Sequence, residues 1–275
     1  MIGHPTGRAY LDAVTELLQR QRTAYPDRGV WEAADLQWWW RKDQHQEPRN
    51  QVFWDAAAIV ITDWGKRFGC DLLGRTHPRE TLRMAVERLR ELGSPAEMIV
   101  RDDDRDFAHS VLDAGFKASD EVGVTTTIRA DEIPSPDDLP KGFRLFSRAE
   151  TEDRPHHMIP RNGEEVAERL RECSIYSADL DLVILGDRQV VAGYALFWAD
   201  TKTGVGLVEP MRIEEAFQGR GLGKALLAEG LKRLVRAGCS IMKVTYIEGN
   251  EAAKRLYIGG GFRPEFSSKT FTYNL

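Results

Sequence analysis

The chain has 275 residues, 42% of them hydrophobic and 29% charged, with a formal net charge of -5. That length carries one large domain or two ordinary ones, the acidic balance argues against a nucleic-acid backbone as partner, and no apolar run reaches the roughly 18 to 20 residues of a membrane span. Cys70, Cys173 and Cys239, odd in number and in no CxxC spacing, suit neither a disulfide framework nor a thiolate zinc site, and the first residues lack the layout of a secretory signal, so a cytoplasmic protein with reduced thiols is expected.

In the N-terminal half, Leu11, Val14 and Leu18 space a helix, and the run QWWWR (37–41) follows. The adjacent tryptophans are expected to plug a core or an interface, with a ligand platform as the alternative. Strands are predicted in QVFWDAAAIVIT (51–62) and CDLLGR (70–75), then a helix carrying Leu82, Ala85, Val86, Leu89 and Leu92 on one face, a strand AEMIVR (96–101), a helix DFAHSVLDAGF (106–116) and a strand VGVTTTI (122–128). The acidic run at 102–104 is expected to be solvated rather than metal-binding.

The stretch RADEIPSPDDLPKG (129–142), rich in proline and paired acids, has neither helical nor strand periodicity and reads as a linker. The domain division is therefore 1–130, a linker at 131–141, and 142–275. In the second region GFRLFSR (142–148) reads as a strand and GEEVAERLREC (163–173) as a helix. His156 and His157 between them are expected to lie exposed in a polar loop, with lining of an acceptor site as the alternative. Strands LDLVIL (180–185), QVVAGYALFWA (189–199) and GVGLVEPMRI (204–213) follow, then a helix through Leu227, Leu231, Leu234 and Val235 stopped by Gly238, the strand SIMKVTYI (240–247), the helix EAAKRLYIGG (251–260) and the closing strand SKTFTYNL (268–275).

The halves repeat at an offset near 145 residues. LGRTHPRETLRMAVERLRELG (73–93) lies over QGRGLGKALLAEGLKRLVRAG (218–238), and VLDAGF (111–116) over YIGGGF (257–262). This reads as an internal duplication whose copies differ where chemistry would sit: Gly221 and Gly223 face Thr76 and Pro78, Asn250 faces Asp104, and Tyr257 faces Val111. The first copy keeps the scaffold pattern and loses the reactive residues.

The loop QGRGLGKA (218–225) invites a phosphate. A Walker loop is excluded, because only three residues separate Gly219 from Gly223 and Ala225 follows Lys224. The dinucleotide fingerprint is excluded as well, since its last glycine falls on Lys224 and no acidic ribose reader follows. What remains is Gln-x-x-Gly-x-Gly opening a helix, where main-chain N–H groups approach a ligand closely and the helix N-terminus adds positive charge. Together with Asn250, Ala253, Tyr257, Gly261 and Phe262 in register behind it, this pattern resembles the GCN5-related N-acetyltransferase (GNAT) superfamily. The resemblance covers about 142–275, and the duplication resembles the tandem members of that family, such as mycothiol synthase.

The resemblance implies an α/β (α+β) fold of two tandem domains, each a mixed, mostly antiparallel sheet flanked by helices. It implies acetyl-CoA as cofactor, a small-molecule amine as acceptor, and catalysis by the second domain by direct attack. By the same resemblance, the loop Gln218, Gly219, Arg220, Gly221, Leu222, Gly223 and Lys224 takes the pyrophosphate, main-chain groups of Met211, Arg212 and Ile213 take the pantetheine arm, and Asn250 and Lys254 sit near the cofactor. Tyr257 falls where the family has its general acid. Glu209, a carboxylate in an otherwise apolar strand, is the candidate base, with a purely structural role, holding a backbone N–H or pairing with Arg212, as the alternative. A noncatalytic acyl-CoA sensor is the rival reading. No metal is expected, Cys239 lacks a base in sequence range, and neither the acceptor nor the oligomeric state is written in the residues.

Overall fold

The computed structural model describes residues 2–74, 78–135 and 138–274. The chain forms two compact units, one of residues 1–125 with 265–275 and the other of residues 126–264. None of the helices among the described residues is long and apolar enough to cross a membrane.

The first unit opens with α1 (Gly7–Ala24) and the short α2 (Ala33–Trp39). The predicted strand 51–62 breaks into β1 (Gln51–Phe53) and β2 (Ala58–Asp63), because the chain reverses at Trp54, whose N–H bonds Ala57 C=O at 2.8 Å. There follow β3 (Phe68–Leu73), α3 (Pro78–Leu92), β4 (Ala96–Arg101), α4 (Arg105–Asp113) and β5 (Lys117–Arg129). The apolar stripe of α3, Leu82, Ala85, Val86 and Leu89, is buried against Cys70, Met98, Val100 and Val111, the helix-on-sheet packing that its periodicity predicts.

The second unit holds β6 (Arg144–Ser147), the one-turn α5 (Ile159–Asn162), α6 (Val166–Arg171), β7 (Asp181–Leu185), β8 (Val191–Asp200), β9 (Val205–Ile213), α7 (Leu222–Arg236), β10 (Ile241–Ile247), α8 (Glu251–Gly259) and the start of β11 (Arg263–Tyr273). Strands β6 to β9 are successive antiparallel neighbours. Against them lies α7, where Gly230 is required because a Cβ there would overlap the Phe197 ring.

Strand order is β1-β2-β3-β4-β11-β5 in the first unit and β5-β10-β9-β8-β7-β6 in the second. The division thus departs from a cut at 131–141. From Ser268 to Tyr273, β11 pairs antiparallel with β4, and from Thr126 onward β5 belongs to the second unit, where Thr126 Oγ1 donates to Val244 C=O at 3.1 Å. The alternating pattern of Phe271 and Tyr273 marks a strand but carries no information about its neighbour. Part of the expected linker, residues 136 and 137, lies outside the described residues.

Candidate functional site

The site is built on β9 and the loop that carries it into α7. One side of β9 stays on β8 as far as Ile213, but the other pairs in parallel with β10 only at Val205, Gly206 and Leu207. Beyond Leu207 the edge toward β10 is open. Between Val208 and Met211, β9 bulges: Glu209 and Pro210 together oppose the single Leu196. The indole Nε1 of Trp198 donates to the Glu209 C=O at 2.7 Å and fixes the bulge.

Glu214 N–H bonds Ala192 C=O at 3.0 Å. Ladder alternation then turns the main chain of Arg212 toward β8 and those of Met211 and Ile213 toward the open edge. Of the three residues expected to bond a pantetheine arm, Arg212 is thus committed elsewhere through its backbone, and its Nε donates to Glu214 at 3.2 Å. Gln218 Nε2 donates to Ile213 C=O at 3.1 Å, tying the loop back to the strand.

Gly219 and Gly221 have φ of +74° and +80°. A Cβ at either would meet no atom closer than Pro140 Cγ at 3.9 Å, so these positions need glycine for left-handed backbone, not for space. None of the main-chain N–H groups from Gly219 to Gly223 donates a hydrogen bond to a described group, and α7 has no side-chain cap. A short row of donors therefore faces outward at the positive end of a helix of 15 residues. The Arg220 guanidinium donates to Ala216 C=O at 3.2 Å, and Lys224 stands exposed in the first helical turn.

Tyr257 projects from α8, 8% exposed, with its ring beside Tyr246 and Phe262. Burial, and then the charge of Glu209, push its phenol up to about 12. The two residues singled out for proton transfer therefore sense each other, and Tyr257 is held protonated at neutral pH. Asn250 and Lys254 have local duties: Asn250 Oδ1 accepts from Ala253 N–H at 3.1 Å as the N-cap of α8, and Lys254 lies exposed 4.0 Å from Glu251. Cys239 is buried, and desolvation followed by Asp200 pushes its thiol up to about 11, well away from a thiolate nucleophile. In the acidic run, Asp103 pairs with Arg101 at 2.7 Å. Thr76, the counterpart of Gly221, lies outside the described residues.

The expectation for the paired histidines is corrected. His156 is buried, as is the side chain of His157, and both reach Asp181, from Nε2 to Oδ2 at 2.9 Å and from Nε2 to Oδ1 at 3.0 Å; the Tyr176 hydroxyl donates to Oδ2 at 3.0 Å. Burial alone would raise the Asp181 carboxyl, but the two imidazoles outweigh it and hold it at about 2. These three side chains could surround a metal ion. However, His156 Nδ1 accepts from Met158 N–H at 3.2 Å, which puts the ring proton on Nε2 and directs it at the carboxylate. His156 is thereby bound to the carboxylate, whereas His157 Nε2 and Asp181 Oδ1 lie 3.0 Å apart without completing a hydrogen bond. No local signal in the sequence marks the cluster, because Asp181 becomes an interior position only once β7 is paired, where it stands opposite Leu196 of β8.

Residues 140–262 match the acetyltransferase (GNAT) family. The second unit carries a GNAT domain. Over 99% of its length the chain is similar to a GCN5-related N-acetyltransferase from Sphaerobacter thermophilus, with 15% identity, 94% of that chain covered and a TM-score of 0.66. It is equally similar to a tandem GNAT protein from the clavulanic acid biosynthesis pathway, with 15% identity, 99% and 97% of the two chains covered and a TM-score of 0.67. A GCN5-related N-acetyltransferase from Kribbella flavida aligns over 81% of this chain and 88% of its own, with 15% identity and a TM-score of 0.55. No curated protein sequence matches. At such identities the structural likeness establishes a shared fold, and the family match over residues 140–262 supports acyl transfer as the general chemistry.

Proposed function

We propose that the second unit of this GNAT protein transfers an acetyl group from acetyl-CoA to a primary amine by direct attack, in the cytoplasm. The observation that carries this reading is the row of unbonded N–H groups from Gly219 to Gly223 at the start of α7, beside the open edge of β9. Those donors, with Arg220 and Lys224, suit a pyrophosphate. The outward groups of Met211 and Ile213 suit the amides of an extended arm laid along the strand.

Acetyl-CoA, when bound, supplies a thioester carbon open to attack. The chain's own residues manage protons around it. Glu209 accepts the ammonium proton at its carboxylate through water, so that the amine reacts with a free lone pair. Tyr257 keeps its proton on Oη until negative charge builds beside it, a role suited to a phenol pushed up to about 12. The first unit, lacking the glycine loop, serves in this reading as a copy without a cofactor site.

Calorimetric titration of acetyl-CoA into the intact protein and into the Gly221→Asp, Gly223→Asp variant tests the reading. One site per chain, lost in the variant, is expected. Absence of binding to folded protein would overturn acyl transfer, and two sites would overturn the assignment of the cofactor to the second unit alone. A noncatalytic sensor would bind acetyl-CoA yet turn over no amine in a screen of primary amines.

A further inference from the structure

The first unit carries a tryptophan cluster that acyl transfer does not use. In β3, Cys70 faces the buried core under α3, so its neighbours Gly69 and Asp71 face the opposite side together. Over that side converge indoles from three separate segments. Trp64, from the turn after β2, lies across Gly69, where a Cβ would stand 2.6 Å from its Nε1. Trp31 donates from Nε1 to Asp71 Oδ1 at 2.8 Å. Trp39, the last residue of α2, stands between them, its ring 4.6 Å from that of Trp31 at 85° and 6.4 Å from that of Trp64 at 89°. The run QWWWR is thereby split: Trp38 and Trp40 are buried, while Trp39 is half-buried among the other two.

The carboxylate at this corner is the second observation. Asp71 is partly buried, its hydrogen-bond partner is the Trp31 indole, and no Lys or Arg among the described residues pairs with it. Indole faces attract cations through their quadrupole, and a neighbouring carboxylate adds full charge, so the combination selects a cation with apolar substituents over a strongly hydrated metal ion. From this arrangement we infer that Trp31, Trp39, Trp64 and Asp71 form a binding site for a small alkylammonium ion. Burial pushes the Asp71 carboxyl up to about 6 against the lowering effect of the Trp31 hydrogen bond, and the charge of Asp35 adds to the rise. A bound cation offsets that cost. The site stands independently of the acyl-transfer reading, since it uses none of the same residues.

Choline is a suitable probe, with its uncharged carbon isostere as control, read in proton–nitrogen correlation spectra of the indole N–H groups of the full chain. Choline is expected to shift the signals of Trp31, Trp39 and Trp64 saturably in the millimolar range and to leave those of Trp38 and Trp40 in place. Trp64→Ala and Asp71→Asn are each expected to weaken binding about tenfold. Trp64 is 44% exposed, so its removal spares the core, and unmoved Trp38 and Trp40 signals verify the fold. The absence of a saturable shift overturns the site. An equal response to the isostere reduces it to an apolar patch and also overturns it, as does a choline response unchanged in both variants. The isostere comparison is made on the unaltered protein and decides the matter even where a variant is unstable.

Discussion

The β3–α3 passage of the first unit and the β9–α7 passage of the second are two outcomes of one plan. Each strand pairs in parallel with its neighbour only briefly, at Phe68 and Gly69 against β4 and at Val205 to Leu207 against β10, and then parts from it. Each is followed by a helix of 15 residues. The open edge therefore belongs to the scaffold, while the row of outward N–H groups belongs to the loop: Gly219 and Gly221 in left-handed backbone on one side, Pro78 opening the helix on the other. Proline at a first helical position lacks the N–H that a phosphate would use.

The largest expected effect tests whether chemistry resides in one copy. Tyr257→Phe is expected to lower turnover of an accepted amine by about 10² to 10⁴ with acetyl-CoA affinity kept, whereas substitution of its counterpart Val111 should act through stability alone. Steady-state kinetics paired with calorimetry separates the two, and unchanged turnover would remove Tyr257 from the mechanism.

The next contrast lies in two interior carboxylates of opposite character. Asp71, pushed up to about 6 by burial, favours its protonated form in the folded state. Its contribution is present below the unfolded value near 4 and is lost as pH rises from about 4 to 6, by about 3 kcal/mol. Asp181, held at about 2 by its histidines, contributes above the unfolded value, and that contribution is lost as pH falls from about 4 toward 2, by a similar amount. Melting curves across this range should flatten between pH 4 and 6 in Asp71→Asn, and a slope unchanged by that substitution would show Asp71 to titrate normally.

A smaller effect comes from the helices' buried faces. Gly230 lies under the Phe197 ring while its counterpart Ala85 is fully buried without such an obstacle. Gly230→Ala should cost about 2 kcal/mol through overpacking, and Ala85→Gly about 1 kcal/mol through lost helix propensity; denaturant midpoints report both. The smallest concerns the caps. Asn250 caps α8 through Oδ1, and Asp104 makes no such bond to α4. Asn250→Ala should cost about 1 kcal/mol and Asp104→Ala clearly less.

Much of this was legible because it is local. The spacing of Gln218, Gly221 and Gly223 encodes a turn that needs positive φ, and the stripes of α3 and α7 encode a buried face whatever lies beneath. What escaped is set at long range. Asp181 becomes interior only once β7 is paired, and that makes a buried pair of the His156 and His157 side chains. Trp64 meets Trp39 only after β2 and β3 form a hairpin. The main chain of Arg212 is taken up by β8 through a register that no local pattern prescribes. The closing strand, expected within 142–275, pairs with β4 of the first unit for the same reason, since Phe271 and Tyr273 alternate identically beside any neighbour.

That last strand also sets an order of events. The residues that pair with β4 come after the entire second unit in the sequence, so a ribosome must finish that unit before the first can close its sheet. Until then the β4 edge waits unpaired, an exposure that favours prompt completion of the chain and penalises any pause within it.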